Sequence, residues 1–94
     1  MDVAGAPGSS SNTGFSAEVK ANINAVDVKG PDAAVTAANW SKVLGAATDA
    51  LTASGYVVTG NSGYNAASQT ITAAKVVSGT AVGGITFTIN YTQA

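Results

Sequence analysis

Residues 85–92, ITFTINYT, decide the fold of this chain, because large apolar residues alternate there with small polar ones. A period of two places successive side chains on opposite faces of a β-strand, so the pattern predicts a strand with one buried face. The other face consists of Thr86, Thr88, Asn90 and Thr92 and has no charge. We predict that these four residues form a protein interface.

The same stretch has high β propensity and contains no Pro, Gly, Lys, Asp or Glu. Such segments pair readily through an exposed edge, and natural edge strands are usually protected by Lys, Pro or a bulge. Within residues 85–92 none of these is present. We therefore expect the strand either to lie in the centre of a sheet or to pair with another chain.

A second alternation covers residues 15–25 and predicts one long half-buried strand, followed by a bulge or change of face near Asp27. The sequence GPD at residues 30–32 then ends the strand and begins a helix. Gly55 suits a left-handed cap, so the helix is predicted at about residues 32–54. Its apolar stripe consists of Trp40, Val43, Leu44, Ala47 and Leu51.

The second half of the chain predicts shorter strands at residues 56–59 and 69–77. The Gly-rich residues 79–84 are expected to form a hairpin loop before the last strand. The resulting order, β-α-β-β-β, predicts an α+β fold with a small single sheet of about four strands, antiparallel or mixed, covered by one amphipathic helix. The alternative is a β-sandwich with one helix.

Two parts of the chain differ in composition. Residues 1–14 are rich in Gly, Ser and Pro and lack periodicity, which predicts a flexible N-terminal arm. Residues 15–94 are expected to form a single domain. Residues 1–13 also lack the basic and apolar regions of a signal peptide, so none is expected there.

The composition disfavours several classes of ligand. The chain has 94 residues with four Lys and no Arg, too few cations for a basic surface that binds nucleic acid. It contains no Cys and no His, so we expect no disulfide, no metal site and no cofactor. No apolar run approaches the ~18 residues that predict a membrane-spanning helix, so we expect no membrane insertion.

The charges are unevenly distributed along the chain. Lys75 is the only charged residue between Ala50 and Ala94, whereas the other eight charged residues precede Ala50. A solvated protein surface normally has roughly a quarter of its residues charged. The low charge of the second half is therefore typical of a surface that contacts other protein.

The remaining polar residues offer few candidates for catalytic or binding groups. Ser41 and Lys42 are neighbours on the predicted helix and face different ways, so they do not form a nucleophile–base pair, and no catalytic residue is assigned. The best surface recognition candidates flank the turn at residues 60–63. They are Tyr56, Asn61, Tyr64 and Asn65, although ordinary aromatic packing beside a hairpin explains the same pattern.

These features favour a non-enzymatic structural subunit that packs against itself or a larger shell, and we expect it to form homo-oligomers. The concrete form is a bacteriophage virion component, either a capsid decoration, cement or head-fibre protein, located in the virion. This interpretation rests on an analogy of composition, not on a motif. One alternative is a secreted or surface-displayed adhesin or pilin-like module; another is a small enzyme or ligand-binding domain.

Overall fold

The computed structural model describes residue 12, residues 14–65 and residues 68–94. It consists of one helix packed on a single five-stranded mixed sheet, which confirms the α+β fold. The strands are β1 (Ser16–Lys20), β2 (Ala25–Gly30), β3 (Tyr56–Asn61), β4 (Gln69–Val77) and β5 (Thr80–Gln93), and the helix is α1 (Trp40–Ala53). The order across the sheet is β1-β2-β5-β4-β3. Only β2 and β5 are parallel.

The first alternation folds into two strands, so the prediction of one long strand over residues 15–25 is wrong. A turn of 3-10 helix at Ala21–Ile23 separates β1 from β2. Asn24 closes this turn in the left-handed conformation, with φ 52°, which Asn tolerates better than most residues. The turn shifts the phase of the alternation, so Val26 and Val28 face the core without the bulge predicted near Asp27.

The helix begins eight residues later than predicted, at Trp40. The preceding loop is held by Asn39, whose Oδ1 accepts the Thr36 backbone N–H at 2.7 Å. The Thr36 hydroxyl oxygen accepts the Asn39 backbone N–H in return, at 3.2 Å. Such side-chain bonds offer the backbone an alternative to helix, which explains the late start. At the other end the helix stops where predicted, before Gly55 with φ 89°.

The last strand is central and longer than predicted, beginning at Thr80 instead of Ile85. Ser78 and Gly79, both with positive φ, form the tight turn between β4 and β5. Residues 79–84 are therefore mostly strand and not a hairpin loop. Strand β5 contains one extra residue at a β-bulge, and the two consecutive glycines lie in this bulge. Gly83 has φ 68° there.

The core lies between α1 and one face of the sheet. Phe87 is fully buried at the centre of β5, and Leu51 is fully buried on the helix. The Tyr56 ring packs edge-on against Phe87, with 5.3 Å between the ring centroids. The other buried members of this core are Val26, Val28, Val43, Ala46, Ala47, Ile71, Ala73 and Ile89.

Most of the predicted N-terminal arm lies outside the described residues. Asn12, at its end, is buried and donates from Nδ2 to Asp49 Oδ2 at 3.3 Å, so this residue packs with the domain. Within residues 12, 14–65 and 68–94, no helix has both the length and the apolar character needed to cross a membrane.

Candidate interaction surface

The face of the sheet opposite α1, here called the outer face, presents the polar residues of every strand. Strand register places paired residues on the same side, so Thr72 and Thr86 lie side by side, as do Thr70 and Thr88. The outer face consists of Ser16, Glu18, Lys20, Ala25, Asp27, Lys29, Val57, Thr59, Thr70, Thr72, Ala74, Val76, Ala81, Thr86, Thr88, Asn90 and Thr92.

All formal charges of the outer face lie on β1 and β2. Glu18 and Lys20 form an ion pair with 3.1 Å between Oε1 and Nζ. Asp27 lies opposite Glu18 and accepts a hydrogen bond from Asn90 Nδ2 at 3.1 Å. One end of the outer face thus contains two anions, Glu18 and Asp27, and two cations, Lys20 and Lys29. The edge strand β1 is thereby protected against unwanted pairing.

Lys75, the one charged residue after Ala50, lies on the opposite side of the sheet. Its Nζ donates to the Ser54 carbonyl oxygen at the end of α1, at 3.1 Å. The same Nζ lies 4.6 Å from the centre of the Tyr56 ring, within range of a cation–π interaction. The outer face of β3, β4 and β5, all of them described, therefore has no formally charged side chain.

The four predicted interface residues share this uncharged half of the outer face. Thr86, Thr88, Asn90 and Thr92 are all exposed in β5. Their neighbours Thr70 and Thr72 were not predicted to lie on this surface, although residues 69–73 show the same alternation of polar and apolar side chains. The result is a surface of hydroxyl, amide and methyl groups across β4 and β5.

The structure separates the four predicted recognition residues. Tyr56 begins β3 and Asn61 ends it, so five steps of extended chain, roughly 17 Å, separate them. The Tyr56 ring belongs to the core side of the sheet. Asn61 holds the next turn by accepting the Gly63 N–H on Oδ1 at 2.7 Å. Tyr64 and Asn65 are exposed in the following connection, where the Asn65 carbonyl accepts a hydrogen bond from the Gln69 side chain.

A further exposed element, absent from the sequence analysis, is the end of the β4–β5 hairpin. Every residue from Lys75 to Gly84 is exposed. Val76, Val77 and Val82 lie there, and each has more than a third of its surface in contact with solvent. The two-residue turn and the β-branched residues around it were the available sequence signal for an extended hairpin.

A comparison with protein families, curated proteins and solved structures finds no match to this chain.

Proposed function

We propose that the chain is a non-enzymatic structural subunit that assembles with other protein molecules through the β3–β5 half of its sheet. The observation that supports this proposal is the uncharged outer face of those three strands. Lys75 is the only charged residue in β3, β4 and β5. It lies on the other side of the sheet, where its Nζ donates a hydrogen bond to the Ser54 carbonyl oxygen and contacts the Tyr56 ring.

The physical argument concerns desolvation. Covering a charged side chain with protein costs several kcal/mol unless a partner compensates it. Threonine hydroxyls cost less to cover because they can form hydrogen bonds with neighbouring strands or with trapped water. Thr70, Thr72, Thr86 and Thr88 could therefore be covered by another protein at little electrostatic cost. The same four residues offer no general base, no basic patch and no aromatic platform for catalysis or for nucleic acid and sugar binding.

The concrete form that we propose is a bacteriophage virion accessory protein of the capsid-decoration, cement or head-fibre type. Small side chains, few charges and the absence of cysteine favour this class by analogy. In this proposal the chain resides in the virion, and its partners are further copies of itself or a larger protein shell.

The decisive experiment is sedimentation and electron microscopy of particles from the producing culture, with an antibody against the chain. We expect the chain to sediment with the particles. The double variant Thr72→Lys, Thr88→Lys should lose this association, because it introduces two charges into the uncharged half. Ser16→Lys, which adds a charge at the already charged end of the outer face, is the matched control. A chain found only in the particle-free fraction would contradict the proposal.

A further inference from the structure

The end of the β4–β5 hairpin extends beyond the rest of the sheet. On the β4 side, the register with β3 ends at Lys75, and the last backbone contact is the Val76 N–H, which donates to the Gly55 carbonyl oxygen at 2.9 Å. On the β5 side, pairing with β2 begins only at Thr88. Residues 77–84, here called the ribbon, therefore extend beyond the paired part of the sheet, with no described strand pairing on either side. A two-stranded hairpin alone is marginally stable in water, so this ribbon gains from further pairing.

The position next to β5 on its β2 side is open over Thr80–Phe87, here called the open lane; among the described residues no strand pairs there. Its closed end is marked by the Thr88 N–H, which donates to the Asn24 carbonyl oxygen at 3.0 Å. Backbone groups two residues apart in a strand point the same way. The Thr86 N–H and C=O therefore face into the open lane.

We propose that the open lane is filled by the same segment, Thr80–Phe87, of a second copy of the chain. The two segments would run antiparallel about a two-fold axis perpendicular to the sheet. This inference rests on the proposed function, since it requires that the chain assembles. It identifies the partner as a second copy and the contact as a strand pair that joins two sheets into one.

The bulge at Gly83 makes the open lane symmetric about its own centre. In a regular strand, two residues whose numbers differ by three point to opposite faces. The extra residue in β5 cancels this difference, because Val82 pairs with Lys75 and Ile85 pairs with Ala73, and these partners lie on one face of β4. A two-fold axis between Gly83 and Gly84 therefore pairs residues that already share a face.

The resulting pairs are chemically matched. Val82 would lie opposite Ile85 of the second copy, which gives two apolar pairs across the axis. Ala81 would lie opposite Thr86 of the second copy on the outer face, and Thr80 opposite Phe87 of the second copy on the helix side. At the centre, the space beside Gly83 and Gly84 is open, since a Cβ built on either residue would have no described neighbour within 4 Å. Because neither glycine has a side chain, the two backbones can approach closely there.

Charge and exposed apolar surface favour a second copy over a charged partner. Residues 76–94 contain no charged side chain, so two copies meet here without like-charge repulsion. The 3-10 turn places Ile23, which is 65% exposed, directly before Asn24 at the closed end of the open lane. One strand pair buries less area than a standard protein interface, so the dimer should be reversible and dependent on concentration.

The first test measures the dimerisation constant of the full chain by sedimentation equilibrium. Val82→Lys should weaken the dimer by about tenfold or more, because the charge would be covered opposite Ile85 of the second copy. Tyr64→Lys is the matched control: Tyr64 is similarly exposed, 44% against 48%, but lies in the β3–β4 connection, away from the open lane and from the outer face of β3–β5. Its dimerisation constant should change by less than about twofold.

The second test uses the absence of native cysteine. The double variant Ala81→Cys, Thr86→Cys should form a disulfide-linked dimer on mild oxidation, because directly opposite residues bring their Cβ atoms within about 5 Å. Within one chain the two positions are five residues apart along β5 and cannot bond to each other. Either single variant should form far less linked dimer.

The outcomes separate this inference from the proposed function. Linked dimer together with a selective loss in Val82→Lys supports the second copy in the open lane. A chain that is monomeric at all concentrations overturns it, even if that chain still sediments with particles, in which case the proposed function stands. A third variant, Val57→Lys, places a charge on the outer face of β3. Self-association that this variant disrupts and Val82→Lys does not also overturns the inference and places the contact on that face.

Discussion

The Tyr91 hydroxyl group forms two hydrogen bonds with the backbone of Asp32. It donates to the Asp32 carbonyl oxygen at 2.9 Å and accepts the Asp32 N–H at 3.2 Å. Tyr91 lies near the end of the last strand, and Asp32 is the second residue of the loop that leads to the helix. Gly30 allows this arrangement, because a Cβ there would lie 2.7 Å from the Tyr91 hydroxyl oxygen and 2.4 Å from the Phe15 ring.

Replacing this hydroxyl should therefore loosen the connection between β2 and α1. We expect Tyr91→Phe to lower the free energy of unfolding by about 1–2 kcal/mol, since two hydrogen bonds are lost while the ring remains. Urea denaturation measures the effect. Tyr64→Phe, at an exposed tyrosine in the β3–β4 connection, is the control and should change stability by less than about 0.5 kcal/mol.

Lys75 should stabilise the end of the helix. We expect Lys75→Met to lower the free energy of unfolding by roughly 1 kcal/mol, because the bond to the Ser54 carbonyl and the contact with the Tyr56 ring are both lost. Thermal denaturation followed by circular dichroism is the measurement. Lys42→Met, at an exposed position in the first turn of α1, removes the same charge at the opposite helix end, where the dipole does not favour a cation. An equal loss in both variants would show that Lys75 contributes only through net charge.

The core prediction concerns the two largest fully buried side chains, Phe87 and Leu51. Each of Phe87→Ala and Leu51→Ala should cost about 2–5 kcal/mol, because the removed atoms leave a cavity that the sheet and helix cannot fill completely. Val57→Ala, at an exposed apolar residue, should cost much less. Chemical denaturation curves that leave both core variants as stable as the native chain would contradict this assignment of the core.

Periodicity predicted those parts of the fold in which one face of an element is buried along its whole length. Residues 85–92 alternate because Phe87 and Ile89 belong to the buried core while Thr86 and Thr88 lie on the outer face. The same reasoning failed at Ala21–Ile23, since a short 3-10 turn can preserve an apparent alternation while the chain reverses direction. A period of two does not distinguish one long strand from two short ones joined by such a turn.

The candidate surface was predictable only in part, for a related reason. Thr86 and Thr88 were identified from one strand, but the pairing that places Thr70 and Thr72 beside them depends on register. The open lane depends on where β2 begins relative to β5, which is a property of the three-dimensional arrangement. Gly83 and Gly84 suggested a loop, whereas the structure uses them in a bulge.

The loop before α1 offers a test that depends on pH. Asn39 is buried and donates from Nδ2 to Asp32 Oδ2 and to the Ala34 carbonyl oxygen, both at 3.0 Å. Asn39→Asp removes these two donors and brings a second carboxylate to the Asp32 carboxylate. We expect the variant to be destabilised at pH 7, because two carboxylates at hydrogen-bond distance repel each other and the Ala34 carbonyl loses its partner.

The pH dependence follows from the sign of this repulsion. A neighbouring negative charge raises the pKa of the introduced carboxyl group in the folded state above its unfolded value, so the folded variant binds more protons. The stability of Asn39→Asp relative to the native chain should therefore increase as the pH falls from 7 towards about 4, where a shared proton restores a donor. Urea denaturation at several pH values measures this. Adding a second substitution, Asp32→Asn, to the same variant removes the repulsion and should abolish most of the pH dependence. If the loss in free energy of unfolding caused by Asn39→Asp alone stays constant with pH, the two side chains do not contact each other.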